Sequence, residues 1–175
     1  EYFQFARGEM VFDRELFKHI LRMGLPSGIQ ASITGIGFVM VQSLINSYGS
    51  VSIAAYTAAS KMEQISNLPM QGVAQGLALF IGQNIGAGKK YRARDGVSCA
   101  MKLSISVTVL LSILNMLFAN TSIRLFTQDP EVIYFGAYFI LHISPFYFTI
   151  CFNQIYGGAL RGIGDAKTPM IIMLL

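Results

Sequence analysis

The chain has 175 residues, of which 53% are hydrophobic and only 13% charged, with a net charge of +4 and a mean hydropathy of +0.52. Soluble domains usually carry about 25% charged residues, so this composition lacks the polar surface that a water-exposed fold needs. Nor does the positive charge read as a nucleic-acid signature, because Lys and Arg occupy short connectors instead of one continuous basic face.

A bilayer span needs roughly 20 apolar residues in a row. No Asp, Glu, Lys or Arg occurs from Met23 to Ser60, from Gln64 to Gly88, from Leu103 to Ile123, or from Val132 to Leu160. The expected fold class is therefore all-α, a polytopic membrane helix bundle of four transmembrane helices plus the start of a fifth. In chain order, residues 1–23 are expected to form a polar connector with a short amphipathic helix. Asp13 is its N-cap, and Leu16, Phe17, Ile20 and Leu21 share one side. Such a helix lies along a membrane surface. Span one is expected over about 24–46, with Pro26 in its first turn, where a missing N–H is tolerated. Tyr48-Gly49-Ser50 makes a turn into span two, about 53–86, which carries Lys61 and Glu63 near its outer edge. Gly86 to Asp95 is read as a basic connector, 99–119 as span three, and 120–130 as a loop. Span four covers about 131–156, kinked at Pro145. A Gly-rich basic connector from Gly157 to Thr168 then leads into an apolar run, 168–175, that is too short to span. With no Met at the start and an apolar run cut short at the end, the sequence is expected to be an internal piece of a longer chain.

Orientation follows from the positive-inside rule. With the N-terminal connector in the cytoplasm, Arg7, Arg14, Lys18, Arg22, Lys89, Lys90, Arg92, Arg94, Lys102, Arg161 and Lys167 fall inside, and only Lys61 and Arg124 outside.

Polar side chains within spans carry most of the functional signal, since lipid cannot satisfy them. Span two holds Gln64, Asn67, Gln71 and Gln75, three and four apart and so on one stripe. Span one offers Gln30 and Thr34; span four offers His142, Thr149, Asn153 and Tyr156. These groups either line a hydrated cavity or bond to one another between helices. His142 reads first as a hydrogen-bonded structural group, which a lone His more often is, and second as a proton carrier. Glycines Gly24, Gly28, Gly35, Gly72 and Gly76, with Ala78, are spaced for close helix approach. Cys99 and Cys151 have no paired spacing for a metal or redox motif. The stretch Gly82 to Lys90 lacks the Gly and the Ser or Thr that a phosphate loop requires, and no catalytic set is present, so no enzyme and no cofactor is expected.

Three stretches in register resemble one family. Arg22-Met23-Gly24-Leu25-Pro26-Ser27-Gly28-Ile29-Gln30 resembles the entry to the seventh helix of multidrug and toxic compound extrusion (MATE) transporters. Leu68-Pro69-Met70-Gln71-Gly72-Val73-Ala74-Gln75-Gly76 with Gly82-Gln83-Asn84-Ile85-Gly86-Ala87-Gly88-Lys89 resembles their eighth helix and the following loop. Gly157 to Pro169 resembles the connector after their tenth helix. The resemblance implies part of the C-terminal lobe of a two-lobed, twelve-helix membrane transporter, the N-terminal lobe lying elsewhere in the same chain. It implies export of small organic, often cationic, compounds by antiport with Na⁺ or H⁺ across the plasma membrane. The sodium-coupled branch carries carboxylates in its seventh and tenth helices, which align near Thr34 and Ile150; neither is acidic here. The alternatives are a flippase for lipid-linked saccharide or cell-wall precursors, and a structural or channel-like membrane subunit. A flippase would call for a strongly basic cavity, which the span interiors do not show.

Overall fold

The computed structural model describes residues 12–174, which are helices and turns throughout; residues 1–11, with Arg7, and Leu175 lie outside the described residues. Asp13 caps α1 (Arg14–Asn46) as its position predicts, accepting from the N–H of Glu15 at 2.8 Å and of Leu16 at 3.1 Å. Nothing after it stops the helix. The surface helix and span one, expected as two elements, are one helix of 33 residues, about 50 Å long. Pro26 is consequently interior, where its ring withholds a donor from the turn before it. Ser27 Oγ donates to the Met23 carbonyl in that same stretch, at 3.0 Å.

Gly49, at φ 92°, supplies the left-handed turn into α2 (Ser50–Gly86). The basic connector after α2 is shorter than its charge suggests. Gly88 turns the chain at φ 74°, and α3 (Lys90–Leu117) already includes Arg92, Arg94 and Asp95. Part of the expected loop is helical as α4 (Ala119–Arg124). Asp129 then caps α5 (Pro130–Ile143), accepting from the Glu131 N–H at 2.9 Å with Pro130 in the first turn. Pro145 interrupts the α geometry with a 3-10 turn, Ser144–Phe146, before α6 (Tyr147–Gly162) resumes. The break expected there is present. Gly164, at φ 86°, turns into α7 (Lys167–Leu174).

Among the described residues, three stretches are long and apolar enough to cross a membrane: α1, α3, and the path through α5 and α6 from Pro130 to Gly162. The remaining expected span, α2, is long enough at 37 residues but is diluted by its amides and by Lys61 and Glu63. α2 is the spine of the bundle, packed by α3, α4, α5 and α6, and its glutamines lie on the face those helices leave open. Its first half joins α4 and α5 through Ala58, Ala59, Ile123, Ala137 and Ile140. Its second half joins α3 and α6 through Met70, Ala74, Leu77, Ala93, Cys151 and Ile155.

The tightest seam corrects an expectation. A Cβ placed on Gly24, Gly28, Gly35, Gly72 or Gly76 would meet nothing within 4 Å among the described residues. The close approach is made two residues further round α2. A Cβ on Gly158 would lie 2.6 Å from the Ala74 carbonyl oxygen, and one on Gly162 would lie 2.7 Å from that of Ala78. Small residues four apart on both helices thus bring parallel backbones into contact, the membrane substitute for a hydrophobic drive. Buried polar side chains join helices elsewhere. Asn115 Nδ2 donates to Ser66 Oγ at 2.9 Å, linking α3 to α2. Ser112 Oγ donates to the Ser144 carbonyl at 2.8 Å, fastening α3 to the 3-10 turn.

Candidate functional site

α1, α2 and α6 line an open cavity of about 860 Å³. α1 supplies Gln30, Thr34 and Phe38; α2 supplies Glu63, Asn67 and Gln71; α6 supplies Thr149, Asn153, Gln154 and Arg161. It continues toward the α1–α2 turn as a space of about 600 Å³ between Gln42, Tyr56, Ser60 and Gln64. Toward the α6–α7 turn it continues as about 360 Å³ between Tyr156, Leu160, Pro169 and Ile172.

Helical spacing makes the wall polar. Glu63, Asn67 and Gln71 recur every four residues, so they stack on one face of α2. Thr149 and Asn153 do the same on α6. The hydroxyls largely serve their own helices: Thr34 Oγ1 donates to the Gln30 carbonyl at 2.9 Å, and Thr149 Oγ1 to the Phe146 carbonyl at 2.7 Å. The amides and charges remain as the recognition groups. Asn67 Oδ1 is a buried acceptor with no hydrogen-bond partner among the described residues, and such atoms are uncommon in folded proteins.

Of the nine residues expected to line a cavity, the structure gathers Gln30, Thr34, Asn67, Gln71, Thr149 and Asn153 around the main space and Tyr156 around its extension. Gln75 is exposed and lines none of these spaces, since the α2 face it shares with Gly72 and Gly76 is open. His142 also lies away from them. It is exposed on α5, its Nδ1 2.8 Å from the Tyr138 carbonyl and its ring 4.0 Å from that of Tyr138. Thr34 and Ile150, where a coupling carboxylate was looked for, both line the cavity.

Two charged residues were passed over. Glu63, set near the outer edge of span two by sequence, faces the cavity with Tyr56, Ser60 and Tyr147 close by, while Lys61 is exposed. Its signal was its place four residues before Asn67, which extends the polar stripe by a turn. Arg161, assigned to a connector, lies on the last turn of α6. Its guanidinium folds back over Gly157, 3.7 Å from where a Cβ there would sit. Glu63 is the cavity's one carboxylate among the described residues, and no three His, Cys, Asp or Glu among them could hold a metal ion.

The chain is 28% identical over all its 175 residues to the probable multidrug resistance protein NorM of Thermotoga maritima, covering 38% of that protein. It is 27% identical over 156 residues to the probable multidrug resistance protein YpnP of Bacillus subtilis, with 89% of this chain and 35% of that protein covered. A solved MATE structure in the bent conformation shares the fold, with a TM-score of 0.87 and 21% identity over 99% of this chain and 38% of that one. The chain thus spans little more than a third of the length of these relatives. From Pro26 onward it matches the family model MatE, over residues 26–175, and on that match it belongs to the MatE family.

Proposed function

We propose that the chain is one lobe of a two-lobed secondary transporter that exports small organic, often cationic, compounds, driven by Na⁺ or H⁺ moving inward across the plasma membrane. Membership of the MatE family supports a transporter, and the names of its relatives support multidrug export. The observation that carries the reading is the cavity of about 860 Å³ walled by amides and open to ligand between three helices. A space of that size suits a drug-sized molecule, and a few amides hold it without demanding one shape.

Ethidium accumulation in efflux-deficient cells expressing the whole transporter tests this. Expression is expected to lower accumulation, and withdrawing Na⁺ or adding a protonophore to restore it, whichever ion drives export. Gln71→Ala combined with Asn153→Ala is expected to raise accumulation most of the way back at equal expression. Unchanged accumulation in the double variant would remove the cavity assignment. Unchanged accumulation with the parent protein in the membrane would remove ethidium-type export.

A further inference from the structure

α3 packs on α2 and α6, and none of the residues lining the cavity belongs to it. Its buried residues, Ala93, Ser104, Thr108 and Asn115, mark the side that meets the bundle. The other side is exposed, and most of its length is a strip of Ile105, Val109, Ile113 and Met116 that suits acyl chains. No charge occurs from Leu103 to Ile123, so Lys102 stands where hydrocarbon gives way to headgroups. Asp95 is seven residues before it, which puts the two on one strip of the helix, about 10 Å apart along the axis. Ser98 lies between them, and all three are exposed. Neither charge forms an ion pair among the described residues. Arg92, one turn before Asp95, is turned instead over the Phe80 ring, 6.0 Å from its centroid.

A lysine at a lipid boundary is commonly solvated by reaching toward the headgroups, and that alone would account for Lys102. It leaves Asp95 without a reason, an acid on the lipid side of an end where Lys89, Lys90, Arg92 and Arg94 gather. The order of the charges supplies one. In an aminophospholipid the phosphate lies next to the acyl region, and the primary ammonium lies further toward water. Lys102 and Asp95 repeat that order with opposite signs. We propose that this strip of α3 binds a phospholipid with a primary-amine headgroup, of the phosphatidylethanolamine type, in the leaflet at the basic end of the bundle. Lys102 and the Ser98 hydroxyl hold the phosphate, and Asp95 accepts from the ammonium. An anionic lipid without a cation leaves Asp95 facing negative oxygens. A choline lipid has a cation but no N–H to donate. The site therefore selects one headgroup, which a bare attraction of basic residues to membrane charge would not do.

The test uses the whole transporter, purified in detergent and offered phosphatidylethanolamine, phosphatidylcholine and phosphatidylglycerol with identical acyl chains in equal amounts. Bound lipid is counted by native mass spectrometry, which needs no transport, so the result stands apart from the export reading. The parent is expected to retain phosphatidylethanolamine about threefold over either competitor, the scale of an exposed charge pair. Asp95→Asn is expected to remove that preference without lowering phosphatidylglycerol retention. Lys102→Gln is expected to lower retention of both of these lipids. Asp95→Lys combined with Lys102→Asp keeps the net charge and reverses the order, and is expected to lose the preference as fully as Asp95→Asn. Should that variant fail to fold, Ser98→Leu fills the strip between the charges and is expected to show the same loss. A preference that survives the reversed order, or equal retention of the three lipids by the parent, would overturn the proposal. So would an equal fall for all three lipids in Asp95→Asn. Unchanged retention in every variant would overturn it too, since this face would then be covered by protein, either another lobe or a second copy.

Discussion

Asp165 opens α7 by itself. Its carboxylate accepts from the N–H groups of Lys167 and Thr168 at 3.0 Å each, and from the Thr168 hydroxyl. The Thr168 hydroxyl bond, then the Thr168 N–H, hold its pKa below the ordinary value of 3.8, and the neighbouring Lys167 adds to this. A carboxylate with a depressed folded-state pKa stabilises fully above its unfolded value and loses that contribution as pH falls through the folded one. Hydrogen exchange at Lys167 and Thr168, corrected for the intrinsic rate, is therefore expected to accelerate as pH drops below the ordinary carboxylate value. Asp165→Ala should show the fast exchange at every pH. Caps of this kind are legible in a sequence because they act over two or three residues, as Asp13 and Asp129 do. Glu63 and Arg161 were not legible in the same way. The direction a side chain faces depends on which helix packs beside it, and that partner is far away in the chain.

Between helices the same limit holds. Spacing showed that α2 and the segment after Tyr156 carry small residues, but not which face is occupied. Gly72, Gly76 and Ala78 were marked for contact; Ala78 makes it, and Ala74 stands where the two glycines were expected. The seam gives a sharp contrast between neighbours. Gly158→Ala drives a methyl group into the Ala74 backbone, which cannot rotate away, and is expected to cost about 1–3 kcal/mol. Gly157→Ala meets only the tip of Arg161 at 3.7 Å and is expected to be near neutral. Thermal unfolding midpoints of the two variants in detergent check this, with equal shifts counting against the seam. Element existence was well marked by the charge-free stretches, whereas boundaries moved wherever good helix formers such as Lys90, Arg92 and Ala93 followed a glycine turn. The single long α1 was missed because Gly24 and Pro26 look like a helix entry when read without the turns on either side.

Across the whole molecule, the arrangement of turns carries the orientation. The α1–α2 turn and the α4–α5 loop lie at one end of the helices, and the α2–α3 and α6–α7 turns at the other, where the basic residues concentrate. We predict that this second end is cytoplasmic. In a background with Cys99→Ala and Cys151→Ala, a membrane-impermeant maleimide applied to intact cells is expected to label Ser47→Cys and Thr127→Cys. It is expected to leave Ala87→Cys and Ile163→Cys, both exposed, unlabelled until the membrane is opened. The opposite pattern would invert the transporter and reverse its direction of export.

The walls of the cavity differ in how they are held. α2 and α6 are clasped backbone to backbone through Gly158 and Gly162 and share one core with α3. α1 has one buried residue, Pro26, and leans lightly on α2 and α7. One wall is thus a fixed jaw and the other a door hung near its foot. On the export reading proposed above, α1 is expected to be the wall that yields to ligands of different girth, with Glu63, Asn67, Gln71 and Asn153 held in place on the fixed jaw.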